Sequence, residues 1–307
     1  MPAAISYRTS AVNSASQTSY TFTAQDIGTA SSDRRVVVGV TFYVNSGSQS
    51  VSSVTIGGVS ASALYDPGAV AATAEGVAFW SAIVPTGTTG DIVINFSSAP
   101  LRIGIGVWAV TAASSALFDS KRATGTGNPL SVSIGVPANG AVIAVAGMVN
   151  NGTAGTYTWV GLTENYDAVI GGAGTHSGSS GTFSSANAAL TVSSTYSQTP
   201  NISGSLAVIA FAPRDVTMSA SAGSYALTGA PLTMMRAIHL IAAAGNYLLT
   251  GKPVTRGFAL LCAAGSYTLT GVPLIVTDLV APAGKFAIRQ ARYVLQKIRT
   301  TPPSLDQ

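Results

Sequence analysis

A chain of 307 residues, 47% hydrophobic but only 8% charged, is long enough to bury a large core without covalent staples, and it carries far less charge than the ~25% of an average globular domain. Cys262 is the sole cysteine, which excludes an intrachain disulfide; Glu occurs only at Glu75 and Glu164 while Ser, Thr and Val abound, which favours an all-β fold. The net charge of +4 is uneven, with six basic and eight acidic side chains in residues 1–213 and nine basic and three acidic in residues 214–307.

The chain opens on MPAAISYRTS, which has neither the basic start nor the apolar stretch of a secretion signal. Short apolar runs separated by turn residues then follow. They are Ser19–Ala24, Arg34–Val44, Gly76–Val84, Asp91–Phe96, Leu101–Val110, Ala141–Val149 and Ser205–Pro213. In DIVINF, the residues Ile92, Ile94 and Phe96 share one strand face. VSSVTIGGVSASAL, Val51 to Leu64, reads as a hairpin turning at Gly57-Gly58, a tight I′ or II′ turn that needs positive φ. AVIAVAGMV is apolar on both faces and reads as a central strand covered on each side. About a dozen strands over some 200 residues predict a jelly-roll-like β-sandwich for residues 1–213.

Between Asn150 and Gly204 the strands are interrupted by Gly/Ser/Thr/Asn-rich text. Such text forms either solvated loops or a recognition surface at one end of the sandwich. Trp159, Tyr166 and His176 fall near it and are the candidate glycan-binding residues, with Trp159 or Tyr166 as a stacking platform. Glu164 and Asp167, which flank Asn165-Tyr166, make the one acid–aromatic cluster to inspect.

A boundary is expected at Pro213-Arg214-Asp215, after which one phrase is written three times: AGSYALTGAPL, AGNYLLTGKPV and AGSYTLTGVPL. Residues 214–284 therefore form a repeat domain. Each unit reads as strand, turn, strand, because Gly and Pro interrupt the ladder after Thr; a strand–helix unit is the alternative. Tyr225 and Leu227, Tyr247 and Leu249, and Tyr267 and Leu269 share faces and are the candidate assembly interface. Ordering a 22-residue unit costs roughly 33 kcal/mol, and its eight large apolar side chains return roughly 12–24 kcal/mol. One unit therefore needs neighbours.

A fourth, altered copy, AGKFAI, leads into residues 285–307, a basic cap or docking tail with Arg289, Arg292, Lys297 and Arg299. Ile288, Ala291, Leu295 and Ile298 there fit an amphipathic helix. The uncharged stretch Gly257–Thr277 is as long as a bilayer span, but its Gly, Ser, Thr, Tyr and Pro content argues against one. His176 and His239 stand 63 residues apart, no metal-ligand spacing and no phosphate-binding loop occurs, and no cofactor is implied. Apart from Phe286 and Tyr293 the tail lacks the aromatic interleaving of nucleic-acid binders, so a solvated face, or docking onto an acidic capsid or tail surface, is the preferred reading.

The tandem AGSYxLTG phrases resemble repeats in structural proteins of tailed bacteriophages and prophages, particularly those of alphaproteobacteria. RRVVVGVTF, SSVTIGGVSASAL, VPTG, RIGIGVWAV and TWVGLTENYD resemble the β-sandwich domains of the same class. The resemblance implies a non-enzymatic virion component assembled in the bacterial cytoplasm, a tail fibre or spike, with a capsid decoration or head-fibre protein as the near alternative. It implies self-association, taken as a trimer, and contacts with other virion proteins, and it brings no catalytic residues. A carbohydrate-binding module for host-surface glycans, or a depolymerase fragment, is the alternative from a different class.

Overall fold

The computed structural model describes residues 2–149, 154–171, 174–198 and 203–214, and the backbone of ten strands between 216 and 299. Every regular element among them is a β-strand. Pro2–Pro213 and Arg214–Gln307 form two compact units.

In the first unit the leading strands are β1 (Ala4–Asn13), β2 (Ser19–Asp26), β3 (Arg35–Val44), β4 (Ser48–Gln49), β5 (Val51–Ile56), β6 (Val59–Ser60), β7 (Ser62–Tyr65), β8 (Val70–Ala71), β9 (Ala74–Ile83), β10 (Thr89–Phe96) and β11 (Arg102–Thr111). Sheet I runs β1-β11-β3-β9-β7 and sheet II runs β2-β10-β5-β6, all antiparallel, while β4 and β8 make a small separate ladder. The β5–β6 turn is made by Gly57 and Gly58 at φ 56° and 78°, positive at both residues as in the I′ form of the two turns expected.

The strands β12 (Ala113–Gly125), β13 (Leu130–Val136), β14 (Gly140–Val149), β15 (Tyr157–Val160), β16 (Thr163–Ile170), β17 (Gly174–Phe183), β18 (Asn187–Tyr196) and β19 (Ser203–Pro213) complete the unit. Sheet III runs β12-β19-β14-β17-β16 and sheet IV runs β13-β18-β15. The one sandwich expected over 1–213 is thus a pair. If the small strands β4, β6 and β8 are set aside, each half has eight strands. In both halves the first strand pairs with the eighth, the eighth with the third, the third with the sixth and the sixth with the fifth, while the second pairs with the seventh and the seventh with the fourth. This is a jelly-roll order written twice.

The chain passes from one half to the other through a single residue. Ala112, at φ 53°, stands between β11 and β12, and its N–H donates to the Asp33 carboxylate at 3.0 Å.

The sheets stack in the order II, I, III, IV, with a hydrophobic core in each gap. Tyr20, Ile56, Ile92, Val38, Phe42 and Ile105 fill the first sandwich, and Ile134, Val142, Tyr196, Leu206 and Val208 fill the second. Val37, Phe79, Trp108, Ile143, Val145, Ile209 and Phe211 fill the seam between sheets I and III. Strand parity sorts neighbours into different cores: Val142 faces sheet IV while Ile143 faces sheet I. That is why β3, β14 and β19 are apolar on both faces, since sheets I and III are covered on each side.

The seam is reciprocal. The first strand of each half lies near the fifth of the other (β1 with β16, β12 with β7), the third on the third (β3 with β14), and the sixth near the eighth (β9 with β19, β17 with β11). This is the pattern of an isologous dimer contact, made here within one chain.

The second unit contains β20 (Val216–Ala220), β21 (Ser224–Thr228), β22 (Ile238–Ala242), β23 (Asn246–Gly251), β24 (Phe258–Cys262), β25 (Ser266–Gly271), β26 (Ile275–Val280), β27 (Lys285–Arg289), β28 (Val294–Leu295) and β29 (Ile298–Arg299). Each repeat does contribute two strands, but they do not form a hairpin with each other. They alternate between two parallel sheets, β20-β22-β24-β26-β28 with β29 also on β26, and β21-β23-β25-β27. Every ladder is parallel, so the chain winds as a coil of like turns. The repeated phrase stacks on itself: Tyr225, Tyr247, Tyr267 and Phe286 stand in one register line, and Leu227, Leu249, Leu269 and Ile288 in the next. AGKFAI supplies the fourth rung. The helical alternatives are replaced by strand at Ile238–Ala242, Phe258–Cys262, Val294–Leu295 and Ile298–Arg299.

Candidate functional site

The three candidate glycan residues come from neighbouring strands but do not converge. Trp159 on β15 is half-buried at the margin of the second sandwich's core, and its indole N–H donates to Ser177 Oγ at 2.8 Å. His176 precedes Ser177 in β17, so it points to the other side of sheet III. There it is fully buried in the seam, with Nδ1 3.3 Å from Tyr166 Oη. Tyr166 is 9% exposed, stacks on Tyr7 with ring centroids 5.3 Å apart, and packs against Trp108. Neither Tyr166 nor His176 presents a face to solvent, so the stacking role assigned to Tyr166 is closed by packing. Trp159 alone keeps partial exposure.

The acid–aromatic cluster is structural in its hydrogen bonding. Asp167 accepts the Tyr157 N–H at 2.7 Å, which ties β16 to β15. Burial raises the carboxyl groups of both Asp167 and Glu164 above their ordinary range. Asn165 Oδ1 accepts the Trp108 indole N–H at 2.9 Å and so links the two sandwiches.

A second polar group was not anticipated from the sequence. It occupies one end of the seam, where Glu75 on β9, Arg102 on β11 and Thr41 on β3 meet Gly147 on β14 and His176 and Gly174 on β17. Sheets pack about 10 Å apart, so a large side chain from one needs a gap in the other, and glycines supply the gaps. A Cβ built on Gly147 would stand 2.5 Å from Glu75 Oε1, one on Gly104 2.6 Å from the His176 ring, and one on Gly174 2.9 Å from the Arg102 guanidinium carbon. Arg102 also lies over the Tyr43 ring, 5.0 Å from its centroid.

Three buried atoms of this group, Thr41 Oγ1, Glu75 Oε2 and His176 Nε2, make no hydrogen bond within the described residues. Register brings them together: Glu75 lies over Gly147, whose cross-strand partner is His176, and His176 lies over Gly104, whose cross-strand partner is Thr41. Burial pushes the Glu75 carboxyl up to about 8, with the Arg102 charge pulling the other way. Burial pulls His176 down to about 3. At neutral pH both groups are therefore largely uncharged, burial outweighing the Arg102 charge at Glu75. The signal was present in the sequence, since Glu75 is one of only two glutamates and begins an apolar run.

The candidate assembly residues Tyr225, Leu227, Tyr247, Leu249, Tyr267 and Leu269 all fall on β21, β23 and β25, one rung apart in register. Of the tail residues, Arg289 lies in β27 and Arg299 in β29, while Arg292 and Lys297 lie outside the described residues. Among the described residues no group of three or more His, Cys, Asp or Glu is placed to hold a metal ion, and no helix is long and apolar enough to cross a membrane.

No protein-family profile matches the chain, and no curated protein matches it significantly. Among solved structures, one similar chain is that of the PBSX exported protein XepA, at 10% identity over 68% of this chain and 86% of that one, TM-score 0.20. Another is the catalytic unit of the thermostable GH87 α-1,3-glucanase from Streptomyces thermodiastaticus strain HF3-3, at 12% identity over 57% of this chain and 51% of that one, TM-score 0.16. A third is a GH87 α-1,3-glucanase catalytic domain carrying D1045A, in complex with nigerose, at 8% identity over 95% of this chain and 55% of that one, TM-score 0.15. This chain thus spans about half the length of the glucanase chains. Identities and scores this low carry no inference about fold or activity.

Proposed function

We propose that the chain is a non-enzymatic structural component of a tailed-phage virion, a fibre or spike in which the double jelly-roll head is presented and the coil serves self-association or anchoring. The observation that carries this reading is the register of the coil. Four successive copies of one phrase stack tyrosine on tyrosine and leucine on leucine, with phenylalanine and isoleucine on the fourth rung, an arrangement that repeats along one direction. A low charge content also fits a protein whose surface is shared with other subunits.

The test is direct. Purified particles are analysed for the chain by mass spectrometry and imaged with the chain labelled, and its mass in solution is measured across concentration. A label on tails supports the fibre or spike reading, and a label on capsids moves the assignment to a head fibre. Absence from particles, together with a monomer that cleaves host polysaccharide, would end the structural reading.

A further inference from the structure

One end of the seam holds a cation that its surroundings do not balance. Arg102 is only 8% exposed. Its guanidinium stands against Gly174 and lies over the Tyr43 ring. The ion pairs among the described residues are Arg8 with Asp26 and Lys121 with Asp119, so Arg102 has no carboxylate partner there. Glu75 and Arg102 are the two cross-strand partners of Tyr43, on β9 and β11. They flank it without forming an ion pair, and burial disfavours the charged form of Glu75 more than Arg102 favours it.

The three unpartnered atoms Thr41 Oγ1, Glu75 Oε2 and His176 Nε2 belong to the same place. Thr41 stands two residues before Tyr43 on β3 and therefore on the same face. Each of the three can donate. The Thr41 hydroxyl and the protonated Glu75 carboxyl carry O–H groups. His176 Nδ1 is paired with Tyr166 Oη; with the tyrosine as donor, the tautomer assigned from that bond puts the ring proton on Nε2.

Ordered water would satisfy the three neutral atoms. It would leave the buried guanidinium without a counter-charge, and a buried charge is costly unless paired. An anion meets both needs. The space limits its size, because Glu75, His176 and Arg102 already occupy the room that Gly147, Gly104 and Gly174 leave.

We propose that this end of the seam binds a small inorganic anion of halide size, held by Arg102, Thr41 and Glu75 of one sandwich and His176 of the other. The ion clamps the two sandwiches together, so the stability of the head depends on halide. The site lies wholly in the head, and its presence is independent of the virion reading.

The test uses the full chain. Crystals grown in sodium bromide are expected to show an anomalous peak within hydrogen-bonding reach of Arg102, Thr41 and His176. In solution, sodium chloride is compared with sodium gluconate, whose anion is too large to enter, at equal ionic strength. The head's unfolding midpoint, followed by tryptophan fluorescence, is expected to rise by about 3–6 °C when chloride reaches roughly ten times its dissociation constant. Arg102→Met should weaken binding about tenfold or more, while Glu75→Gln, which keeps a neutral donor, should change it by less than about threefold. Water alone at the site, bromide found only elsewhere as an adventitious ion, or an equal chloride response in Arg102→Met overturns the proposal. Should Arg102→Met not fold, the bromide peak and the gluconate comparison on the parent chain decide.

Discussion

The Glu75 carboxyl of the first sandwich occupies the space above Gly147 of the second, so close that a methyl group on Gly147 would lie 2.5 Å from Oε1. Each sandwich reaches into the other this way: His176 crosses back over Gly104.

Filling these gaps is expected to loosen the head. Gly147→Ala and Gly104→Ala should each destabilise it by about 1–3 kcal/mol, since a buried Glu75 or His176 side chain would have to give way. Gly58→Ala, at an open turn position, has no such neighbour to displace and meets only its left-handed backbone. Urea unfolding followed by tryptophan fluorescence separates the cases.

Glu75 makes stability fall on the alkaline side. Its folded value of about 8 exceeds the ordinary 4.5, so the folded state keeps a proton that the unfolded chain releases. The contribution is complete below pH about 4.5 and is lost as pH rises toward 8, a change on the order of 5 kcal/mol. Glu75→Gln should flatten this slope with the fold retained; an unchanged slope would show that the group is not sealed.

His176 acts in the opposite sense. Its folded value of about 3 lies below the ordinary 6.5, so the unfolded chain takes up the proton first, and stability declines as pH falls from about 6.5 toward 3. Between about 4.5 and 6.5 the two slopes oppose each other, which places maximal head stability in that window. His176→Phe should remove the acid limb of the profile due to this residue, while Glu75→Gln leaves it.

Trp159 and Tyr166 should respond differently to truncation. Tyr166→Ala empties a buried, ring-packed position and should cost about 3–5 kcal/mol of stability. Trp159→Ala, at a half-buried site, should cost less, and it is the substitution that removes glycan capture if the head binds sugars. Glycan arrays with the parent chain and Trp159→Ala decide; no capture by the parent removes the sugar reading.

The coil should be sensitive to a proline in its ladder. Leu248 pairs with both Ala226 and Thr268, so Leu248→Pro removes a ladder donor in an inner strand, a position where proline is essentially not found. Loss of self-association with the head's unfolding midpoint unchanged is the expected outcome. An unchanged solution mass would show that the ladder does not carry assembly.

Much of the strand content was legible because period-two alternation reports burial directly, as in Ile92, Ile94 and Phe96. The doubly apolar β14 was legible as a covered strand, but alternation says that a face is buried and not by what. The division of the head was hidden for a local reason. β11 and β12 are joined through Ala112 alone, with no linker whose composition could mark a boundary. Tyr166 and His176 looked loop-borne because Gly, Ser and Thr surround them. In β17 those small residues leave room for neighbouring rings, with Gly178 beneath Tyr166 and Trp108. The repeat was legible as a repeat, but its parallel winding was not, since the same phrase serves a hairpin or a coil until the pairing is seen.

Because each copy of the phrase adds one strand to each of two parallel sheets, the coil lengthens by about 4.8 Å per copy while its cross-section stays the same. Duplication or loss of a unit would thus reset the reach of this element in fixed increments, as a molecular ruler does, without redesigning either of its ends.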